Sequence, residues 1–147
     1  MNTENTLSEI EKHYSNIFFR VSTEAPLIFI FQGYKLNKGD NCNLFLKYMI
    51  KVMDFYVNAN QYITIILDLN GTNQSQINID FIIKFIQQFK KKYENKVFMR
   101  KFYVINCPKF IRGIYNLLKG FLHQDTKNKI ELIKEKHSLP IEEYYYN

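Results

Sequence analysis

Three short apolar runs separated by helical stretches constrain this chain more than any other feature. Residues 27–31 are continuously apolar, residues 62–69 are rich in β-branched side chains, and residues 101–106 carry Phe102, Val104 and Ile105. Short runs of this kind suit strands buried on both faces. Between them the period changes. Leu44, Phe45, Tyr48, Met49, Val52 and Tyr56 recur at helical spacing, as do Ile79, Ile82, Ile83, Ile86, Phe89 and Tyr93, with Asn78 placed as an N-cap. Pro108 closes the third run and opens a helix over residues 109–119, which stops near Gly120. Further strands are expected at 16–21 and 129–133. The alternation predicts an α/β fold: a mixed, mostly parallel sheet of about five strands with helices on both faces. Such sheets bind ligands beyond the carboxyl ends of their strands. Those ends fall at 68–71 and 106–108.

The 147 residues suit a single domain, 1–147, with a polar helical leader over 1–15 and a tail over 136–147 that has no clear period. A hydrophobic content of 46% excludes a disordered chain. Cys42 and Cys107 are too few for a disulfide scaffold. The first ten residues are polar and acidic, unlike a signal peptide. No apolar run approaches the length needed to cross a bilayer. The expectation is a reduced, cytoplasmic protein that meets membranes only at their surface.

Charge is unevenly spread. The net charge is +6, yet residues 1–83 carry −2, residues 84–119 carry +9 and residues 120–147 carry −1. A basic third quarter points to an anionic partner or to a solvated lysine-rich face. The helix after Pro108 concentrates the contrast. Phe110, Ile111, Ile114, Tyr115, Leu117, Leu118, Phe121 and Leu122 are apolar, while Lys109, Arg112, Asn116, Lys119 and His123 share an arc of about 80°. The broad apolar side, with Phe110, Ile114, Leu117, Leu118 and Phe121, is expected to face inward. Lys109, Arg112 and Lys119 are then a membrane or partner surface. The aromatic spacing implies burial rather than base stacking, so nucleic acid is not expected as a partner.

Catalytic signals are weak. With five glycines the chain has neither GxGxxG nor GxxxxGK[ST], and no G-x-S-x-G elbow. His13, His123 and His137 are scattered without metal-ligand spacing, so no metal and no cofactor are expected. Cys107 and Arg112 lie between a strand and a helix, as in cysteine phosphatases, but only four residues separate them, where that loop needs five. Pro108 also removes a donor N–H. Asp68, at a strand end, suits a turn cap better than a catalytic carboxylate. The chain is read as a non-enzyme.

Four patches in order carry a family resemblance. Residues 67–71, Leu-Asp-Leu-Asn-Gly, resemble the "DL-x-G" strand end of CRAL-TRIO domains. Residues 102–108 resemble "YIINAP", Lys119-Gly120-Phe121-Leu122 resembles "KPFL", and Asp125-Thr126 with Lys129-Ile130 resembles "D-x-x-T-x-x-KI". The resemblance implies a sheet floor beneath a mobile helix, with a lipid or other hydrophobic small molecule between them. The pocket and gate residues would be Phe110, Ile111, Ile114, Tyr115, Leu118, Phe121 and Leu122, and Lys129 matches a headgroup-contacting lysine. Val97 and Phe98 stand where phosphoinositide-transfer members carry a Glu-Arg pair. Residues 108–112 with Lys91-Lys92-Tyr93 are similar to the branch found in Rho GTPase-activating proteins. That branch implies an alternative role as a protein-interaction module, with a small GTPase or a second copy as partner and no usable lipid cavity.

Overall fold

The structure, a computed structural model, is described for residues 9, 11–21, 27–36, 41–59, 61–93 and 98–133. Of the expected leader, residues 11–14 are helical and the rest is mostly outside the described residues, as is the 136–147 tail.

Five strands form one sheet in chain order: β1 (Phe18–Arg20), β2 (Leu27–Gln32), β3 (Ile63–Asp68), β4 (Met99–Ile105) and β5 (Ile130–Leu132). β1 runs antiparallel to β2, and every later pair is parallel. The mixed, mostly parallel α/β sheet is therefore the one its alternating pattern predicts. Between β3 and β4 the register steps from Ile63↔Met99 to Thr64↔Lys101, so the ladder skips Arg100 in a bulge.

Among the described residues, four helices connect the strands: α1 (Cys42–Asn58), α2 (Ile79–Lys92), α3 (Lys109–Leu118) and α4 (Gln124–Lys129). Asn41 Oδ1 caps α1 by accepting from Leu44 N–H at 3.1 Å. Asn78 Oδ1 caps α2 in the same way from Phe81 N–H at 3.1 Å. α4 has no counterpart in the sequence reading, because its six residues, Gln-Asp-Thr-Lys-Asn-Lys, offer no apolar period.

The sequential strand order decides where these helices go. Right-handed crossovers that always step in one direction deposit their helices on one face. Phe45, Leu46, Met49, Met53 and Val57 of α1 and Phe81 and Phe89 of α2 pack with Leu27, Phe29, Ile63 and Ile65 of the sheet in one buried cluster. Burying each such side chain is worth about 1.5–3 kcal/mol. The opposite face carries Ile28, Ile30, Ile66 and Ile105 in a second cluster. Phe19, Val21, Tyr103 and Ile133 pack against it, and among the described residues no helix does.

α2 meets the sheet less closely than α1. Five residues of α1 are buried, against Phe81 and Phe89 alone in α2. Phe81, Phe85, Phe89 and Tyr93 stand four apart and touch ring to ring, with centroids 6.3, 4.4 and 5.7 Å apart. This ladder of rings holds α2 together while its flank stands clear of the strands.

Candidate functional site: an apolar cavity between two helices and the sheet

The space beside α2 is a cavity of about 760 Å³. Its floor is the helix-bearing side of the sheet, with Ile65, Leu67, Phe102, Val104 and Leu132. One wall is α2, through Phe81, Ile82, Phe85, Ile86 and Phe89. The facing wall is α3 and the turn after it. Apolar side chains make up most of this lining, and a few polar groups stand at its two ends, a composition common to small-molecule sites.

The α2 wall is tied to α1 at its far end. The Tyr93 hydroxyl donates to Asp54 Oδ1 at 2.6 Å, and Lys92 Nζ lies 3.2 Å from Asp54 Oδ2. Burial, and then the hydrogen bond and charge of Asp54, push the Tyr93 phenol far above its ordinary value. Tyr93 thus remains a donor to Asp54 at neutral pH.

The α3 wall is anchored on the other side. Ile111 packs with Leu69, Val104 and Cys107, with Phe110 and Ile114 beside them. The chain reaches α3 through Asn106, which holds a left-handed φ of 51°. Asn is among the residues that tolerate this region. Asn106 Nδ2 donates to Asp68 Oδ1 at 3.0 Å, and the Asn70 N–H donates to the same oxygen at 2.9 Å. Asp68, 2% exposed, is therefore the clasp of the β3 and β4 ends. Burial pushes the Cys107 thiol up, against a smaller opposing pull from Arg112, and its Sγ donates to Pro108 O at 3.6 Å.

Of the residues singled out in the sequence, Ile111, Ile114, Tyr115, Leu118, Phe121 and Leu122 line the cavity, and so does Lys129. Phe110 packs beside the cavity in the Leu69–Cys107 cluster. Lys109, Arg112 and Lys119 are exposed. The expected inward set needs a correction at Leu117, which is 78% exposed. Ile111 and Leu118 mark the buried midline of α3, and Leu117 lies about 110° around the helix from it. Phe121 lines the cavity yet remains 47% exposed. The opposing wall on α2 was legible only as a helix: its period reads as core, and nothing in it says that part of that face borders empty space.

Among the described residues, no helix is long and apolar enough to cross a membrane, and no cluster of His, Cys, Asp and Glu could hold a metal ion.

Comparison with known proteins agrees with this architecture. The family model of the CRAL/TRIO domain matches residues 17–145. The chain is similar to the phosphatidylinositol transfer protein SFH5 of Vanderwaltozyma polyspora, at 27% identity over 95 residues, 61% of this chain and 31% of that protein. The crystal structure of Sfh5 shares the fold with a TM-score of 0.65 at 20% identity, over 84% of this chain and 50% of that one. The chain thus spans about a third of the curated relative and half of the solved one. With the ordered motifs, the five-stranded sheet and a family match over most of its length, the chain belongs to the CRAL/TRIO domain family.

Proposed function

We propose that this domain binds one lipid or other hydrophobic molecule between α2, α3 and the sheet, and does no chemistry on it. The observation that carries the reading is the cavity itself. Its volume of about 760 Å³ lies within the ~300–1,000 Å³ of small-molecule sites, and most of its lining is apolar. The relative named for phosphatidylinositol transfer supports the same ligand class. α3 is the gate for ligand entry. It is the shorter wall, ten residues against fourteen, with Gly113 inside it.

A polar head lies toward Lys129 and Lys90, which border the cavity near the amino ends of the strands. The outer side of α3 meets an anionic membrane. Lys109, Arg112 and Lys119 supply charge, and the exposed Leu117 and Phe121 supply apolar surface. The Cys107 thiol, buried and raised, is a poor nucleophile, which supports a non-catalytic role.

Native mass spectrometry of protein purified without detergent tests the reading. A retained adduct of lipid mass is expected. An empty chain that also fails to take up added phospholipid or fatty acid overturns it and leaves the protein-interaction module, with a small GTPase or a second copy as partner.

A further inference from the structure

Among the described residues, two buried side-chain oxygens meet no hydrogen-bond partner, Gln32 Oε1 and Thr72 Oγ1. Thr72 is part of the cavity wall and Gln32 is not. Thr72 is 8% exposed. Its backbone is held in a turn: its N–H donates to Leu69 O at 2.9 Å, and Gly71 before it has a φ of 71°, a value suited to glycine. A buried hydroxyl in this state carries the unrecovered cost of its desolvation, whereas valine would fill the same shape without it.

The surroundings restrict what could meet this hydroxyl. Thr72 follows the carboxyl end of β3, and its neighbours in the wall, Gln76 and Asn78, are polar and uncharged. Their acceptors are engaged in the fold: Gln76 Oε1 takes the Asn73 N–H at 2.8 Å and Asn78 Oδ1 takes the Phe81 N–H at 3.1 Å. The charged groups of the lining, Lys90, Asp125 and Lys129, lie further toward the amino ends of the strands: Ile130, next to Lys129, is level with Phe102 and Ile65 in the ladder. β3 spans six residues, about 20 Å. A carboxylate or phosphate beside Thr72 would be buried without a counter-charge. A neutral oxygen would not.

We propose that Thr72 is a second polar anchor of the cavity, and that it takes a hydroxyl or carbonyl oxygen on an otherwise apolar ligand. The proposal rests on the reading of the cavity as a lipid site. The staggered χ1 wells lie about 120° apart, so one rotamer step brings the hydroxyl to the place the methyl holds. A ligand oxygen arriving there satisfies it as donor or acceptor. The cavity then sorts ligands at two ends, by charge near Lys129 and by a neutral oxygen near Thr72.

The test uses the whole chain, with N-phenyl-1-naphthylamine as reporter dye and 1-decanol and decane as competitors. In Thr72→Val, 1-decanol is expected to bind about five- to tenfold more weakly than to wild type, with decane unchanged. Thr72→Ser is expected to retain the preference. Thr72→Val should also unfold no earlier in urea than wild type, since it removes an unsatisfied group. Equal losses for decanol and decane, no loss for either, or a marked loss of stability each overturn the anchor while leaving the cavity reading intact. Failure of wild type to bind dye, alcohol or alkane overturns both.

Discussion

The Tyr93 hydroxyl donates to Asp54 Oδ1 at 2.6 Å and so ties one wall of the cavity to the helix behind it. Tyr93 itself lines the cavity, which makes this bond both a strut of the fold and a part of the site. Removing the hydroxyl in Tyr93→Phe leaves Asp54 with Lys92 at 3.2 Å. The expected cost is about 1.5–3 kcal/mol, the range for hydrogen bonds to charged groups, read as a lower urea midpoint at unchanged slope.

The same pair has a pH signature. The Tyr93 phenol is raised in the folded protein, so folding favours its protonated form. The contribution is complete below the unfolded tyrosine value of about 10, and is lost as pH rises from there through the folded value. The stability gap between wild type and Tyr93→Phe should be constant from pH 6 to 9 and shrink at higher pH. A gap that grows above pH 10 would contradict this assignment.

Asn106 combines a φ of 51° with a hydrogen bond to the buried Asp68. Glycine removes the bond and tolerates the backbone, while alanine removes the bond and strains the backbone by about 1–2 kcal/mol. Asn106→Ala is therefore expected to be less stable than Asn106→Gly by about that amount, with both below wild type. Equal stability of the two variants would show that the backbone conformation carries no cost.

Ile114 borders the cavity from α3 and is half-buried. Ile114→Trp should fill space that a ligand needs while leaving the Ile111 anchor intact. Binding of a fluorescent fatty acid should weaken at least about tenfold, or ~1.4 kcal/mol, with an unchanged far-ultraviolet circular dichroism spectrum. Unaltered binding would place the ligand elsewhere.

The basic side of α3 is open to direct measurement. Each lysine or arginine near an anionic bilayer is worth about 1 kcal/mol. The triple variant Lys109→Glu, Arg112→Glu, Lys119→Glu should lose co-sedimentation with phosphatidylserine vesicles at low salt. Leu117→Ser should weaken it further at high salt, where only the apolar contact survives screening. Equal sedimentation of wild type and triple variant rejects the membrane contact.

Most of the elements and their kind were readable from the amino-acid pattern alone, though the six residues of α4 were not. The continuous apolar run at 27–31 and the β-branched run at 62–69 suit strands with both faces covered, Asn78 is a cap wherever the helix packs, and Pro108 starts a helix because it lacks the N–H that a helix interior needs. The α3 period likewise put Ile111, Ile114, Tyr115 and Leu118 on one side. Tertiary structure decided the rest. Periodicity records which side of a helix is apolar, but not whether that side meets other atoms or a void. Ile82 and Ile86 read as core like Phe45 and Met49, yet they border a cavity while Phe45 and Met49 are fully buried. Leu117 is as apolar as Leu118, but only the midline of α3 faces the sheet, so one is 78% and the other 7% exposed. The open hydroxyl of Thr72 was equally unreadable. A threonine after Asn-Gly looks like a turn residue, and only the surrounding packing withholds its hydrogen-bond partner and sets it in the wall of an apolar space.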